Sequence, residues 1–351
     1  MTSRKFLLLA ASVTLSLVLL FGAFNLWRDD FGLFWSQDAK PVYTREKTTK
    51  YLLAHRYIPA NFEALLMGPS YADSFMDTRQ VDGYRIYNMS MDGANATELR
   101  EVALTAIDKG NLRFIVICLT PYITKDHGIK GAEINPKEYW GSLFSLLPIE
   151  IASAKWDARN KTEANAASTW GMTAFIQRPH MTWDRYMRSE TNGTNYTADL
   201  DPIGVQHLGD IVAAARAKNV RVFAYFYPYN RWFTESVDQA MWQRYRTAVE
   251  ALFDKNDVVW DMTTPAYDAM RTDPGCYTDA HLSAAGARIV LADIKRTLDQ
   301  HLKGAAVAPP LATGEKSPCY GKPGQGSGFD RPASALVDPM SIQRILPAAT
   351  G

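Results

Sequence analysis

Five short apolar runs punctuate the chain: FEALLMG (62–68), YRIYNMS (84–90), RFIVICL (113–119), VRVFAYF (220–226) and DVVWD (257–261). Runs of this length, bounded by polar or glycine-rich stretches, predict strands. The third and fourth are almost continuously hydrophobic, as expected for strands buried on both faces of a parallel sheet. Between and after the runs, apolar positions recur with helical spacing. Residues 96–110 set Leu99, Val102 and Ile107 roughly on one face and stop at Gly110, and residues 202–219 and 238–255 follow the same pattern. Residues 283–302 begin at Ser283, a suitable N-cap, and align Val290, Ile294 and Leu298. Alternating strand and helix predicts a three-layer α/β/α sandwich with a mostly parallel five-stranded sheet over residues 61–302.

The N-terminus follows a different rule. Residues 6–27, FLLLAASVTLSLVLLFGAFNLW, carry no charge. As a helix they would extend about 33 Å, enough to cross a bilayer. Arg4 and Lys5 precede the run and Asp29 and Asp30 follow it, which favours an N-inside orientation. A cleaved signal peptide would end in small residues, whereas this run ends in Phe and Trp, so residues 1–27 are expected to stay as an anchor. Either way residues 28 onward are exported, to the periplasm if the source is a bacterium. Residues 28–60 are expected to form a stalk, with a short helix near 45–58. Residues 121–200 read as an insertion carrying Trp140, Trp156, Trp170 and Trp183, either an irregular subdomain or a lid able to stack on sugar rings. From 303 the chain is rich in Gly, Pro, Ala and Ser and is expected to be disordered.

Bulk composition narrows the function. The 351 residues are 47% hydrophobic and 21% charged, with a formal net charge of +1, which offers no basis for a nucleic-acid partner. Three cysteines without a CxxC or Cys/His cluster argue against a structural zinc site, and no cofactor is expected. Cys118 reads as a core residue; in an oxidising compartment Cys276 and Cys319 could either pair or stay free.

In open parallel sheets, ligands bind beyond the carboxyl ends of the strands. Ser70, in LLMGPSYADS, lies just past the end of the first strand, where Gly68 lets the chain turn closely. A serine hydroxyl becomes a useful nucleophile when a base takes its proton, and a carboxylate usually orients that base. Among six histidines, only His281 stands in a loop just before a helix with an acid, Asp279, two residues earlier. That loop follows the fifth strand and so belongs to the same rim. A local reading, in which His281 merely opens the helix and Asp279 serves the turn, remains beside it. Acyl transfer also needs oxyanion donors. Gly93, in the loop after the second strand, and the backbone N–H groups of Ser70 and Tyr71 are candidates. Asn88 and Asn95 either satisfy turns or touch substrate.

LLMGPSYADS, YNMSMDGAN and YTDAHLSAAGA together resemble the SGNH, or GDSL-type, hydrolase superfamily over roughly residues 60–302 outside the insertion. The resemblance implies a flavodoxin-like sheet, a Ser70–His281–Asp279 triad and a glycine-lined oxyanion hole at Gly93. It is nearest to the membrane-anchored bacterial branch, the alginate O-acetyltransferase-like proteins and the D-alanyl transfer protein of teichoic acid synthesis, which share the anchor and a GxS motif. The family's Gly-x-Asn-Asp block after the third strand is absent. The chain reads CLTPYIT there, leaving Thr120 or Tyr122 to supply the missing donor. The spacing Asp-x-His occurs in the alginate-type branch. The resemblance implies an exported, inner-membrane O-acyltransferase acting on a polysaccharide hydroxyl, its acetyl donor handed over by a membrane-bound acyltransferase. An esterase or deacetylase and a catalytically silent polysaccharide-binding scaffold are the alternatives.

Overall fold

The computed structural model describes residues 2–35, 43, 45–125, 134, 137–146, 149–151, 153, 169–173, 200–278, 281–306 and 319. The predicted strands all form: β1 (Ala64–Met67), β2 (Ile86–Asn88), β3 (Phe114–Leu119), β4 (Arg221–Phe226) and β5 (Val258–Asp261). They pair in the order β2-β1-β3-β4-β5, every pair parallel. Leu66 sits beside Asn88 on one side and Val116 on the other, and Ile117 beside Ala224. β1 and β3 are buried at every position, which is why their sequences do not alternate.

Helix α1 (Ser3–Arg28) is long and apolar enough to span a membrane. Helix α2 is Glu46–Leu53, α3 is Ala96–Lys109, α4 is Pro202–Ala217, α5 is Gln239–Glu250 and α6 is Ala284–Lys303. Asn95, Asp201, Asp238 and Ser283 cap α3, α4, α5 and α6 by accepting backbone N–H bonds. Helices α3 and α4 share one face of the sheet, joined by Arg100–Asp210 at 2.7 Å. Right-handed crossovers put α5 there too. On the other face, α6 meets the β1–β2 connection, where the Tyr84 hydroxyl donates to Asp299 at 2.9 Å. Helix α5 ends at Glu250, five residues short of its predicted end, because Asp254, Asn256 and Asp257 close a turn on one another.

One expectation needs revision. The expected stalk, 28–60, is built into the domain: Leu52, Leu53, Ala54 and Ile58 have no exposed surface, and Phe31 and Leu33 join the same core. These short helices bury apolar area that a free stalk would leave in water. The insertion 121–200 lies largely outside the described residues, Trp156 and Trp183 included. Of its other tryptophans, Trp170 packs edge-on to Phe62 and Trp140 is exposed. The C-terminal stretch lies outside the described residues beyond Ala306, apart from Cys319, which forms a disulfide with Cys276.

Candidate active site

The strand order reverses beside β1. The chain runs from β1 to β2 at the edge, then crosses back to β3 on β1's other side. The crevice at such a reversal is where parallel sheets hold ligands. β1 ends there at Met67, and the next turn carries Ser70 at the start of a 3-10 turn, Ser70–Ala72. Gly68 is required by space. A Cβ would lie 2.8 Å from the Cys118 Cβ and 3.0 Å from the Ala72 Cβ, so only glycine lets β1 and β3 close below the turn.

Across 211 residues of sequence, the His281 Nε2 stands 2.9 Å from the Ser70 Oγ. The loop presenting His281 is closed by an antiparallel bridge between Tyr277 and Leu282, and the Thr278 N–H donates to the His281 carbonyl at 3.0 Å. It is held from behind by the Tyr277 hydroxyl on the Pro228 carbonyl at 2.6 Å and by the Cys276–Cys319 disulfide. Asp279, expected to orient the imidazole, lies outside the described residues.

Sequence reasoning assigned Tyr71 only a backbone role, but its ring does more. It stacks on the His281 imidazole, centroids 4.8 Å apart and planes inclined by 17°. Tyr227 and Tyr229, just past β4, pack against Tyr71 at 4.9 and 5.5 Å. The imidazole thus rests on a three-tyrosine floor. Burial pushes the Tyr227 phenol well above its usual pKa and keeps it neutral.

The expected oxyanion and substrate residues divide by environment. The Gly93 loop is tied to the Ser70 turn where the Met91 N–H donates to the Gly68 carbonyl at 3.1 Å, and Gly93 takes a φ of +60°. The Tyr122 hydroxyl donates to the Gly93 carbonyl at 3.3 Å. Thr120, at the carboxyl end of β3, is fully buried, and its hydroxyl has no hydrogen-bond partner among the described residues. Asn88 is fully buried; its amide donates to the Ala72 and Met76 carbonyls and accepts from the Ser90 N–H. It braces the Ser70 turn from below. Asn95 accepts from the Thr97 and Glu98 N–H groups as the cap of α3. Both amides therefore have the turn role.

A buried charge cluster underlies the turn. The Lys50 ammonium, on α2, lies 3.1 Å from Glu46 and 3.6 Å from Asp73 and donates to the Ser90 carbonyl. Lys50 and Asp73 are both at zero exposure. Thr173 donates its hydroxyl to Asp73 at 2.5 Å and its N–H at 3.1 Å. The Asp73 N–H, in turn, donates to the Ser70 carbonyl at 3.1 Å. Loss of hydration pushes the Asp73 carboxyl up to about 6, against the opposing pull of Lys50. Nothing in EKTTKYLL marks Lys50 as buried. A Glu–Lys pair four residues apart normally signals an exposed helix face. No protein-family model matches the chain, and no curated protein matches it either.

Proposed function

We propose that this is a serine-dependent acyl-ester enzyme, an O-acyltransferase that moves a small acyl group, acetyl by resemblance, onto a polysaccharide hydroxyl. The observation that carries the proposal is the 2.9 Å contact between Ser70 Oγ and His281 Nε2 at the strand-order reversal. A nucleophile and base within hydrogen-bond reach are what acyl transfer requires.

In this reading the Ser70 oxygen attacks the acyl carbonyl while its proton passes to His281 Nε2. The tetrahedral oxyanion is met by N–H groups of the Ser70–Tyr71 turn and the Gly93 loop, with the buried Thr120 hydroxyl, unpartnered among the described residues, at the end of β3. Collapse expels the donor's leaving group, which takes the proton from His281. The acceptor hydroxyl then repeats the sequence on the acyl-serine, again losing its proton to His281. Tyr71 holds the imidazole plane, and Asp279 is the acid assigned to its other nitrogen. A membrane-anchored domain beyond the reach of cytosolic thioesters would draw its acyl groups from a membrane-bound donor protein.

The test is the intact mass of the full chain after exposure to an activated acetyl ester. The wild type gains one acetyl group and Ser70→Ala gains none, with ester turnover falling about 10⁴-fold or more in the variant. Product that increases with added oligosaccharide identifies transfer; hydrolysis alone identifies an esterase. Unchanged ester turnover in Ser70→Ala would refute the proposal.

A further inference from the structure

The short helix Glu138–Gly141 and the 3-10 turn Ser142–Phe144 touch the core through Tyr139 alone among their large apolar side chains. They lie against the C-terminal end of α1. The Asn25 amide of α1 donates to the Leu143 carbonyl at 2.7 Å, and Gly22 gives the Phe144 ring room, since a Cβ there would lie 2.8 Å from it. Tyr139 points the other way, 6.1 Å from Phe34 and 4.6 Å from His55 just past α2. The segment is thus wedged between helix and domain. Its outer side is apolar: Trp140 is 64% exposed, Phe144 57%, Leu146 64% and Ile149 49%. Trp27 and Trp35, at 75% and 59%, continue the patch around the end of α1. A charged rim follows, with Arg45 paired to Glu150 at 2.8 Å.

Height decides what covers this patch. The apolar stretch of α1, Phe6 to Trp27, is about 33 Å long against a hydrocarbon layer of about 30 Å. Gly22 and Asn25 fall within its last two turns, so the residues bonded to them stand at the outer boundary of the bilayer. Tryptophan and other large apolar side chains concentrate at that depth. A water-facing surface rarely keeps so many together.

We infer that residues 138–146, together with Ile149, form a second membrane contact, a wedge whose outer face is seated in the headgroup region beside α1. This rests on α1 spanning the bilayer. Through Tyr139, His55, Tyr51 and the Lys50–Asp73 pair, the wedge connects by direct contacts to the turn that carries Ser70. The nucleophile therefore stands at a fixed height above the lipid.

The experiment uses the full chain in phosphatidylcholine–phosphatidylglycerol vesicles. An environment-sensitive fluorophore is attached in turn at Leu146→Cys, Leu15→Cys and Lys255→Cys; the native cysteines are buried or disulfide-bonded. Quenchers are carried on lipid chains near the headgroup or near the chain end. The expected result is at least about two-fold quenching at 146, stronger with the shallow quencher, the reverse order at 15, and none at 255. An unquenched probe at 146 beside a quenched probe at 15 overturns the wedge and leaves the span standing. Probes unquenched at both 15 and 146 overturn the span and the wedge together. A blue-shifted but unquenched probe at 146 means that protein covers the patch, which also overturns the inference.

Discussion

Replacing Lys50 with methionine tests the buried cluster under the Ser70 turn. Methionine keeps much of the side chain's volume and removes its charge. In the native protein the ammonium meets Glu46 at 3.1 Å, Asp73 at 3.6 Å and the Ser90 carbonyl, with no exposed surface. Solvent cannot screen what remains. Removing one partner of a buried pair costs about 3–5 kcal/mol, because the other charge is left uncompensated. For a domain of this size that lowers Tm by roughly 6–20 °C. The loss should depend on pH. Asp73's folded pKa, about 6, lies above its unfolded value of 3.8, so its burial favours folding below the unfolded value, and that contribution disappears as pH rises through 6. Without Lys50 the folded pKa moves higher still, since the ammonium is the largest influence holding it down. Lys50→Met should therefore be mildly destabilised near about pH 5 and fully destabilised near about pH 8. Adding Asp73→Asn should recover most of the loss at the higher pH. The assay is thermal unfolding of the full chain in mild detergent, followed by near-UV circular dichroism with the disulfide intact. A loss below about 1 kcal/mol, or one equal at both pH values, would refute the argument.

Further expectations concern the surroundings of the site. Tyr71→Ala should lower kcat/KM for an activated ester about 2- to 12-fold, the equivalent of one aromatic pair, whereas Tyr71→Phe should stay near wild type. Equal effects of the two variants would show that the hydroxyl matters rather than the stack. Gly171→Ala should cost about 3 kcal/mol or more, visible as a lower Tm, because φ is +93° there and a Cβ would fall 2.1 Å from the Asn88 carbonyl oxygen. Opening the Cys276–Cys319 disulfide, which spans 43 residues, should cost about 4 kcal/mol by chain entropy and lower ester turnover by loosening the His281 loop. Tm and turnover compared with and without reductant check both.

The sheet was legible because its strands announce themselves. RFIVICL and VRVFAYF admit no amphipathic helix, and their burial at nearly every position follows directly. Ser70 and His281 were legible because each ends a predicted strand or opens a predicted helix at the same rim, so topology alone brings them together. The charge cluster was hidden for the opposite reason. Lys50 and Glu46 lie on a helix whose local pattern is that of an exposed one, and only tertiary packing over the β2 end takes them out of water. The same packing turned the expected stalk into core. Tyr71 follows Ser70 directly and its place in the sequence points to its N–H, while its ring finds His281 only once the distant loop has closed.

The separation of Ser70 from His281 has a consequence for the protein's own biogenesis. The two meet across 211 residues, and the disulfide that holds the histidine loop waits for Cys319. At typical elongation rates, roughly 10–40 s pass between synthesis of the serine and of the histidine. Throughout that interval the nascent chain carries a hydroxyl without its histidine, so under the proposed function the domain stays inert towards esters until almost all of it has been synthesised and delivered. Chains truncated before His281 would accumulate as silent products rather than as partly active ones.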